Sequence, residues 1–281
     1  MPARILDGKS LAASWRERLH DARESLGDRP VNLVSLEVGE NPAAKVYIRN
    51  QKRAAKACGI ELVERLLPAT TTEAELLEII QGYNADPGVT GIIMQRPLPL
   101  AIDARRVQAT ISRTKDVEGM NPSNMGAILY CEPKLTPCTA LAAVTLIQHS
   151  GIDMKGAETV VVGHSEIVGK PVAILLLHHL STVTVCHIGT RNLREHTKRA
   201  DILVVAVGKP HLVTGDMIKP GAVVIDIGIN ANPNGGGIVG DVHFDSAKEV
   251  AGFITPVPGG VGPLTVAMLM RNTLRAAGWE G

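Results

Sequence analysis

Val160-Val161-Val162-Gly163-His164-Ser165-Glu166-Ile167-Val168-Gly169-Lys170-Pro171 reads as a strand, a glycine turn and the start of a helix. Glycines in such a turn let the backbone approach a pyrophosphate closely. The helix N-terminus offers free N–H groups and the positive end of its dipole. The pattern is GxSxxxGxP rather than GxGxxG, and a βα turn without ligand is the plain alternative. The turn lies on the first strand of a fresh α/β half, which favours a nicotinamide dinucleotide site. In NAD sites an acid roughly 20 residues on usually meets the ribose 2′-hydroxyl. Here the next strand ends Val185-Cys186-His187, without a carboxylate. His164, His187 and Arg191 are instead candidates to meet a 2′-phosphate, which favours NADP over NAD. The expected cofactor-binding set is Gly163, His164, Ser165, Ile167, Val168, His187, Arg191 and Ile229.

Outward from this turn the chain alternates strand and helix. Strands are expected at 31–38, 60–67 and 91–95, then at 159–162, 182–186, 202–207 and 223–227. Leu11, Trp15, Leu19 and Ala22 have helical spacing. Further helices are expected at 43–58, from Thr72 to about Tyr83, at 168–179 and from about Leu264 to Ala277. Thr72 and Glu75 have capping-box spacing. Residues 114–139 read as loops crossing between domains, and 256–263 as a Pro/Gly-rich loop. Such alternation predicts an α/β protein of two domains with mostly parallel sheets.

The 281 residues suffice for two cores. A net charge of +1 gives no sign of a nucleic-acid or membrane-surface partner. Two Trp, three Tyr and two Phe leave the core to aliphatic side chains and give each Tyr more weight as a site residue. The four scattered cysteines read as reduced thiols of a cytosolic protein. The nine histidines form no HExxH-like cluster, so no metal site is expected. The start, Met1-Pro2-Ala3-Arg4, does not read as a signal peptide.

In the first half, Tyr47 and Gln51 lie four apart on one helix and share a face. Gln95 ends a strand before Pro97-Leu98-Pro99, and Glu118 lies in the loop region. Singly these read as half-buried core, helix surface, a loop cap and a turn acid. With Leu6-Asp7-Gly8-Lys9, Val38-Gly39-Glu40-Asn41-Pro42, Lys115-Asp116-Val117, Pro137-Cys138-Thr139, the 163–171 turn, Gly240-Asp241-Val242 and the run from Thr255 to Pro263, the chain resembles the methylenetetrahydrofolate dehydrogenase/cyclohydrolase family from end to end.

The resemblance implies a folate domain at 1–138 completed by a C-terminal helix at 264–281. A Rossmann-like NADP domain at 139–263 would face it across a cleft, usually in a homodimer. It implies catalytic roles for Tyr47, Gln51, Gln95 and Glu118. Tyr47 would stack on tetrahydrofolate and Gln95 would bind the pterin edge, with Arg96 beside it. Pro258 and Gly262 would line the cleft. The family oxidises 5,10-methylenetetrahydrofolate with NADP+ and hydrolyses the methenyl product to 10-formyltetrahydrofolate.

The chain departs from the family's usual residues at Ala44, Gln51, Arg96, Glu118 and His164, with Gln51 replacing a lysine. Lys52 is turned about 100° away on the helix. Hydride transfer needs mainly positioning, whereas hydrolysis moves protons, which an amide cannot do. The glutamine therefore predicts an active dehydrogenase with weak or absent cyclohydrolase activity. The alternatives are full bifunctionality through Glu118 and Arg96, or folate and nucleotide binding without turnover.

Overall fold

The computed structural model describes residues 2–131, 133–233 and 235–281, apart from the side chains at 42–44. The departure at Ala44 thus falls outside the described side chains. In chain order the elements are β1 (Arg4–Ile5), α1 (Gly8–Ser25), β2 (Asn32–Val38), α2 (Pro42–Ala57), β3 (Glu61–Leu67), α3 (Glu73–Ala85), β4 (Gly91–Met94), α4 (Ala104–Thr110), α5 (Pro122–Leu129), α6 (Cys138–His149), β5 (Glu158–Val162), α7 (Gly169–His178), β6 (Thr182–Cys186), α8 (Leu193–Thr197), β7 (Ile202–Val205), β8 (Val223–Asp226), β9 (Asn230–Ala231), β10 (Ile238–Val239), α9 (Phe244–Ala247), β11 (Phe253–Ile254) and α10 (Val261–Ala276). The chain divides into two units, one of residues 13–138 and 266–281, the other of 1–12 and 139–265.

The first unit is built on a parallel sheet in the order β3-β2-β4. Strand β2 is central, and Leu33, Val34, Leu36 and Val38 are buried, as expected where both faces are covered. The edge strand β3 carries Glu61, Glu64 and Arg65 exposed, which discourages pairing with another chain. Val34, Leu36, Ile92 and Met94 pack with Leu76 and Ile80 of α3 and Val107 of α4. The capping box forms as the spacing predicts. Thr72 Oγ1 accepts the Glu75 N–H at 3.3 Å, and Glu75 Oε2 accepts the Thr72 N–H at 2.7 Å.

The stretch 114–139, read from the sequence as loops, contains α5 and the first two residues of α6. The Asn121 side chain accepts the Ser123 N–H at 2.8 Å and Pro122 takes the first helical position. A cap and a proline thus start the helix, although their composition is that of a loop. Helix α10 begins at Val261, three residues ahead of expectation. Pro263 is tolerated because first-turn N–H groups have no helical acceptor.

The second unit holds six parallel strands in the order β1-β11-β8-β7-β5-β6. Val160–Val162, β7 and most of β8 are fully buried aliphatic runs, typical of a sheet covered on both faces. From β5 the chain runs to β6 on one side and then crosses to β7 on the other. That reversal is a topological switch point, and ligands of open parallel sheets bind outside the strand carboxyl ends there. The two-residue strands β1 and β11 show no sequence periodicity and form through pairing with each other and with β8.

Candidate functional site

At the switch point β5 ends in Gly163, whose φ is +119°. A Cβ there would fall on the Ala206 carbonyl after β7, and one at Gly169 on the Gly163 carbonyl. Both positions therefore need glycine for backbone packing alone. Ser165 Oγ accepts the Val168 and Gly169 N–H groups at 3.2 and 3.4 Å, shaping the entry to α7. His164, Ser165, Glu166 and Ile167 are exposed along this turn. The His164 and His187 rings lie 5.0 Å apart between centroids, joining the ends of β5 and β6. His187 Nδ1 accepts the Gly189 N–H at 3.1 Å. Arg191 and Ile229 are exposed, Ile229 three residues beyond β8. The parallel strands place all these residues at one sheet edge. Pro258 and Gly262, also exposed, follow β11 in the same unit.

Two buried carboxylates brace the loops of that edge. Asp241 accepts the N–H groups of Val207, Gly208 and Lys209 at 2.6, 3.0 and 2.8 Å, and the Asn230 amide at 2.8 Å. Asp226 accepts those of Gly228, Asp241 and Val242 at 2.9, 3.0 and 2.9 Å. Burial nevertheless raises the Asp226 carboxyl to about 6.

The first unit gathers Tyr47, Gln51, Gln95 and Glu118. Gln51 is fully buried and Gln95 nearly so. Gln95 Nε2 donates to Ser35 Oγ and to Gln51 Oε1, both at 2.9 Å. These bonds tie α2 to the end of β4 and to the middle of β2. Gln51 Nε2 is buried and has no partner. Tyr47, half-buried, has its phenol pushed well above the usual range, mainly by desolvation, with Glu118 adding to it and the Gln51 amide opposing it. Lys52 Nζ lies 2.7 Å from Glu64 of β3, so its charge is spent on the sheet edge, as its helical angle predicts.

Glu118 and Asp116 are neighbours in different environments. Asp116 is completely buried, with Oδ1 accepting from Gln108 at 2.9 Å and Oδ2 from the Asn121 N–H and the Asn124 amide at 2.6 and 2.8 Å. Desolvation still raises its carboxyl. Glu118 Oε2 accepts the Met94 N–H at 3.3 Å. Its carboxyl rises to about 7, through desolvation first and then the Asp116 charge, against the pull of Arg96 and the Met94 hydrogen bond. Part of the residue's surface stays accessible.

The structure thus brings together Tyr47, Gln51, Gln95 and Glu118, and separately the turn residues and His187. It leaves Arg96 exposed, with one long hydrogen bond of 3.4 Å to Gln108. That geometry does not support the idea that Arg96 takes the place of the lost lysine. Sequence reasoning missed Ser35, although a serine inside the aliphatic run of β2 was a readable signal. It also missed Asn272 of α10, whose amide donates to the Val117 and Thr136 carbonyls at 2.9 and 2.8 Å and so braces the Glu118 loop.

Among the described residues no group of three or more His, Cys, Asp or Glu is placed to hold a metal ion, and no helix is long and apolar enough to cross a membrane.

Comparisons with known proteins bear on both units. Residues 6–118 match the model for the tetrahydrofolate dehydrogenase/cyclohydrolase catalytic domain, and residues 137–280 that for the NAD(P)-binding domain. A protein of Mesorhizobium japonicum described as bifunctional protein FolD 2 is 56% identical over 88% of this chain and 82% of its own. Bifunctional protein FolD of Moorella thermoacetica is 50% identical over 99% of both. The crystal structure of the Trypanosoma brucei dehydrogenase-cyclohydrolase, complexed with NADP and inhibitor, superposes with a TM-score of 0.94 at 36% identity, covering 99% of this chain and 98% of that one. The two parallel sheets and these full-length matches agree: the chain belongs to the tetrahydrofolate dehydrogenase/cyclohydrolase family of folate one-carbon metabolism.

Proposed function

We propose that this chain oxidises 5,10-methylenetetrahydrofolate with NADP+ and hydrolyses the 5,10-methenyl product to 10-formyltetrahydrofolate. The observation that carries the reading is the cluster of Tyr47, Gln51, Gln95 and Glu118 in the unit matching the catalytic domain. Tyr47 offers a ring face for the folate, and Gln95 is held rigidly by its two donated bonds to meet the pterin edge. Pro258 and Gly262, exposed after β11, are assigned to substrate binding. We read the assembly as a homodimer, which sedimentation measurements check.

The residues at the nucleotide end fit NADP. Two imidazoles and Arg191 supply donors where an NAD site would place a carboxylate. Gly163 and Gly169 keep the turn tight, and the Asp241 network fixes the neighbouring loops. When bound, the dinucleotide accepts the hydride. The chain supplies position: the folate methylene must be held against the ring, and the folate nitrogens stabilise the cation that forms.

Gln51 favours a second reading, a dehydrogenase without the hydrolytic step. Bifunctional relatives at 50% identity and a second titratable group at the site support the first. Both rates on one preparation decide. NADPH formation, faster with NADP+ than with NAD+, and methenyltetrahydrofolate decay well above the spontaneous rate are expected. Decay no faster than the spontaneous rate would leave only the dehydrogenase.

A further inference from the structure

We propose that Glu118 is the proton-transfer group of the hydrolytic step, the role that an amide at position 51 cannot fill. This rests on the function proposed above. The other ionisable groups of the cluster are committed elsewhere. The Tyr47 phenol is too weak an acid to work near neutrality. Cys138 is buried, its thiol held well above the usual range by burial, with Sγ donating to the Val117 carbonyl at 3.3 Å. Both Asp116 oxygens are occupied by buried donors. Lys52 is paired to Glu64, and Arg96 is exposed and hydrogen-bonded to Gln108. Glu118 alone combines partial exposure of the residue, a single long hydrogen bond and an environment that brings its carboxyl near neutrality.

Position 51 contributes by holding the site rather than by moving a proton. The Gln51 amide is fully buried, its Oε1 is fixed by Gln95, and its Nε2 turns to the Tyr47 phenol without a full hydrogen bond. An amide neither takes up nor gives up a proton near neutrality, so the transfer falls to the carboxyl. In the step, the oxygen of the attacking water bonds to the methenyl carbon while the C=N+ π pair moves onto nitrogen. One water proton passes to the Glu118 carboxylate, leaving a neutral carbinolamine. Glu118 then returns the proton to N5 as the C–N5 bond breaks. The carbinol hydroxyl loses its proton to solvent as the formyl C=O forms on N10. The sum is methenyltetrahydrofolate plus water giving 10-formyltetrahydrofolate and one proton.

The test is the pH profile of hydrolysis, corrected for the spontaneous rate, for wild type, Glu118→Gln and Glu118→Asp, with NADPH formation measured on the same preparations. The groups facing Glu118 are Asp116, Arg96, Tyr47 and Cys138; the Tyr47 phenol and the Cys138 thiol are held above their usual ranges, and Asp116→Asn is run alongside to separate the second raised carboxyl. In wild type the rate should rise with pH up to about 7 and then level off. Glu118→Gln should lower hydrolysis by about 100-fold, more steeply than NADPH formation, and abolish the rise. Glu118→Asp should keep the rising limb, and so should Asp116→Asn. Hydrolysis by Glu118→Gln within about threefold of wild type overturns the assignment, since general acid–base catalysis is worth far more. A flat wild-type profile, or a rise lost only in Asp116→Asn, also overturns it. A wild-type enzyme that forms no NADPH would instead refute the functional reading on which the assignment rests.

Discussion

Replacing Asp241 by Asn separates bracing of the nucleotide end from its chemistry. The Asp241 carboxylate has four donors, two on each oxygen: Val207 and Gly208 N–H on Oδ2, Lys209 N–H and the Asn230 amide on Oδ1. An amide has one acceptor oxygen, so in either orientation at least two donors lose their acceptor and face an NH2 group. Asp241 has no exposed surface through which water could replace it. At about 1–3 kcal/mol for each orphaned donor, the loss is about 2–6 kcal/mol. With about 2–4 °C per kcal/mol for domains of this size, melting should fall by at least about 4 °C. The loops concerned follow β7 and β8, so the KM for dinucleotide should rise as well. Thermal melts by circular dichroism, with initial rates at varied NADP+, measure both. Asp245→Asn is the control, because it breaks only an exposed ion pair with Lys248 and should shift melting by less than about 1 °C. If Asp241→Asn melts within about 1 °C of wild type, the four bonds are not what fixes these loops.

Gly163→Ala should weaken NADPH binding by about tenfold or more, since its φ of +119° and the Ala206 carbonyl both oppose a side chain. Fluorescence titration checks this, and unchanged affinity would refute it. His164→Ala and His187→Ala should each raise the KM for NADP+ while leaving that for NAD+ nearly unchanged; equal effects on both cofactors would remove the 2′-phosphate assignment. Glu118 should also leave a stability signature. Its carboxyl is raised from 4.5 to about 7 on folding, so the folded state holds the proton more tightly and loses stability as pH climbs through that window. Glu118→Gln should therefore melt above wild type at pH 8, with the gap closing below pH 4.5; a gap that does not change with pH would contradict the burial argument.

What the sequence made legible follows from how local each signal is. The turn at 163–171 was readable because an aliphatic run, two glycines and a helix start are all local, and the strand order then placed that turn at the switch point. Helix α5 was not, because Asn121, Pro122 and Ser123 belong equally to loops and caps, and only the formed Asn121 bond tells them apart. Strands β1 and β11 are two residues each and owe their conformation to pairing across the chain.

In the first unit the four-residue spacing joined Tyr47 to Gln51. No spacing could show that Gln51 would bond to Gln95, which lies 44 residues on, or that its second N–H would be left unmet. The same limit governs the chemistry. Taken alone, the glutamine predicts a lost base, because an amide does not titrate. The folded chain changes the question: the carboxyl at 118 lies where burial and Asp116 lift it toward neutrality, while the amide at 51 ties Gln95 to the Tyr47 side of the same cluster. A lysine that combines charge and proton transfer can then be replaced by two groups that divide the work. Gln51→Lys tests that division. If Glu118 carries the proton, a lysine at 51 places a cation beside it, stabilises the carboxylate and should shift the rising limb of the hydrolysis profile to lower pH. An unshifted limb would mean that the two positions do not act on the same proton.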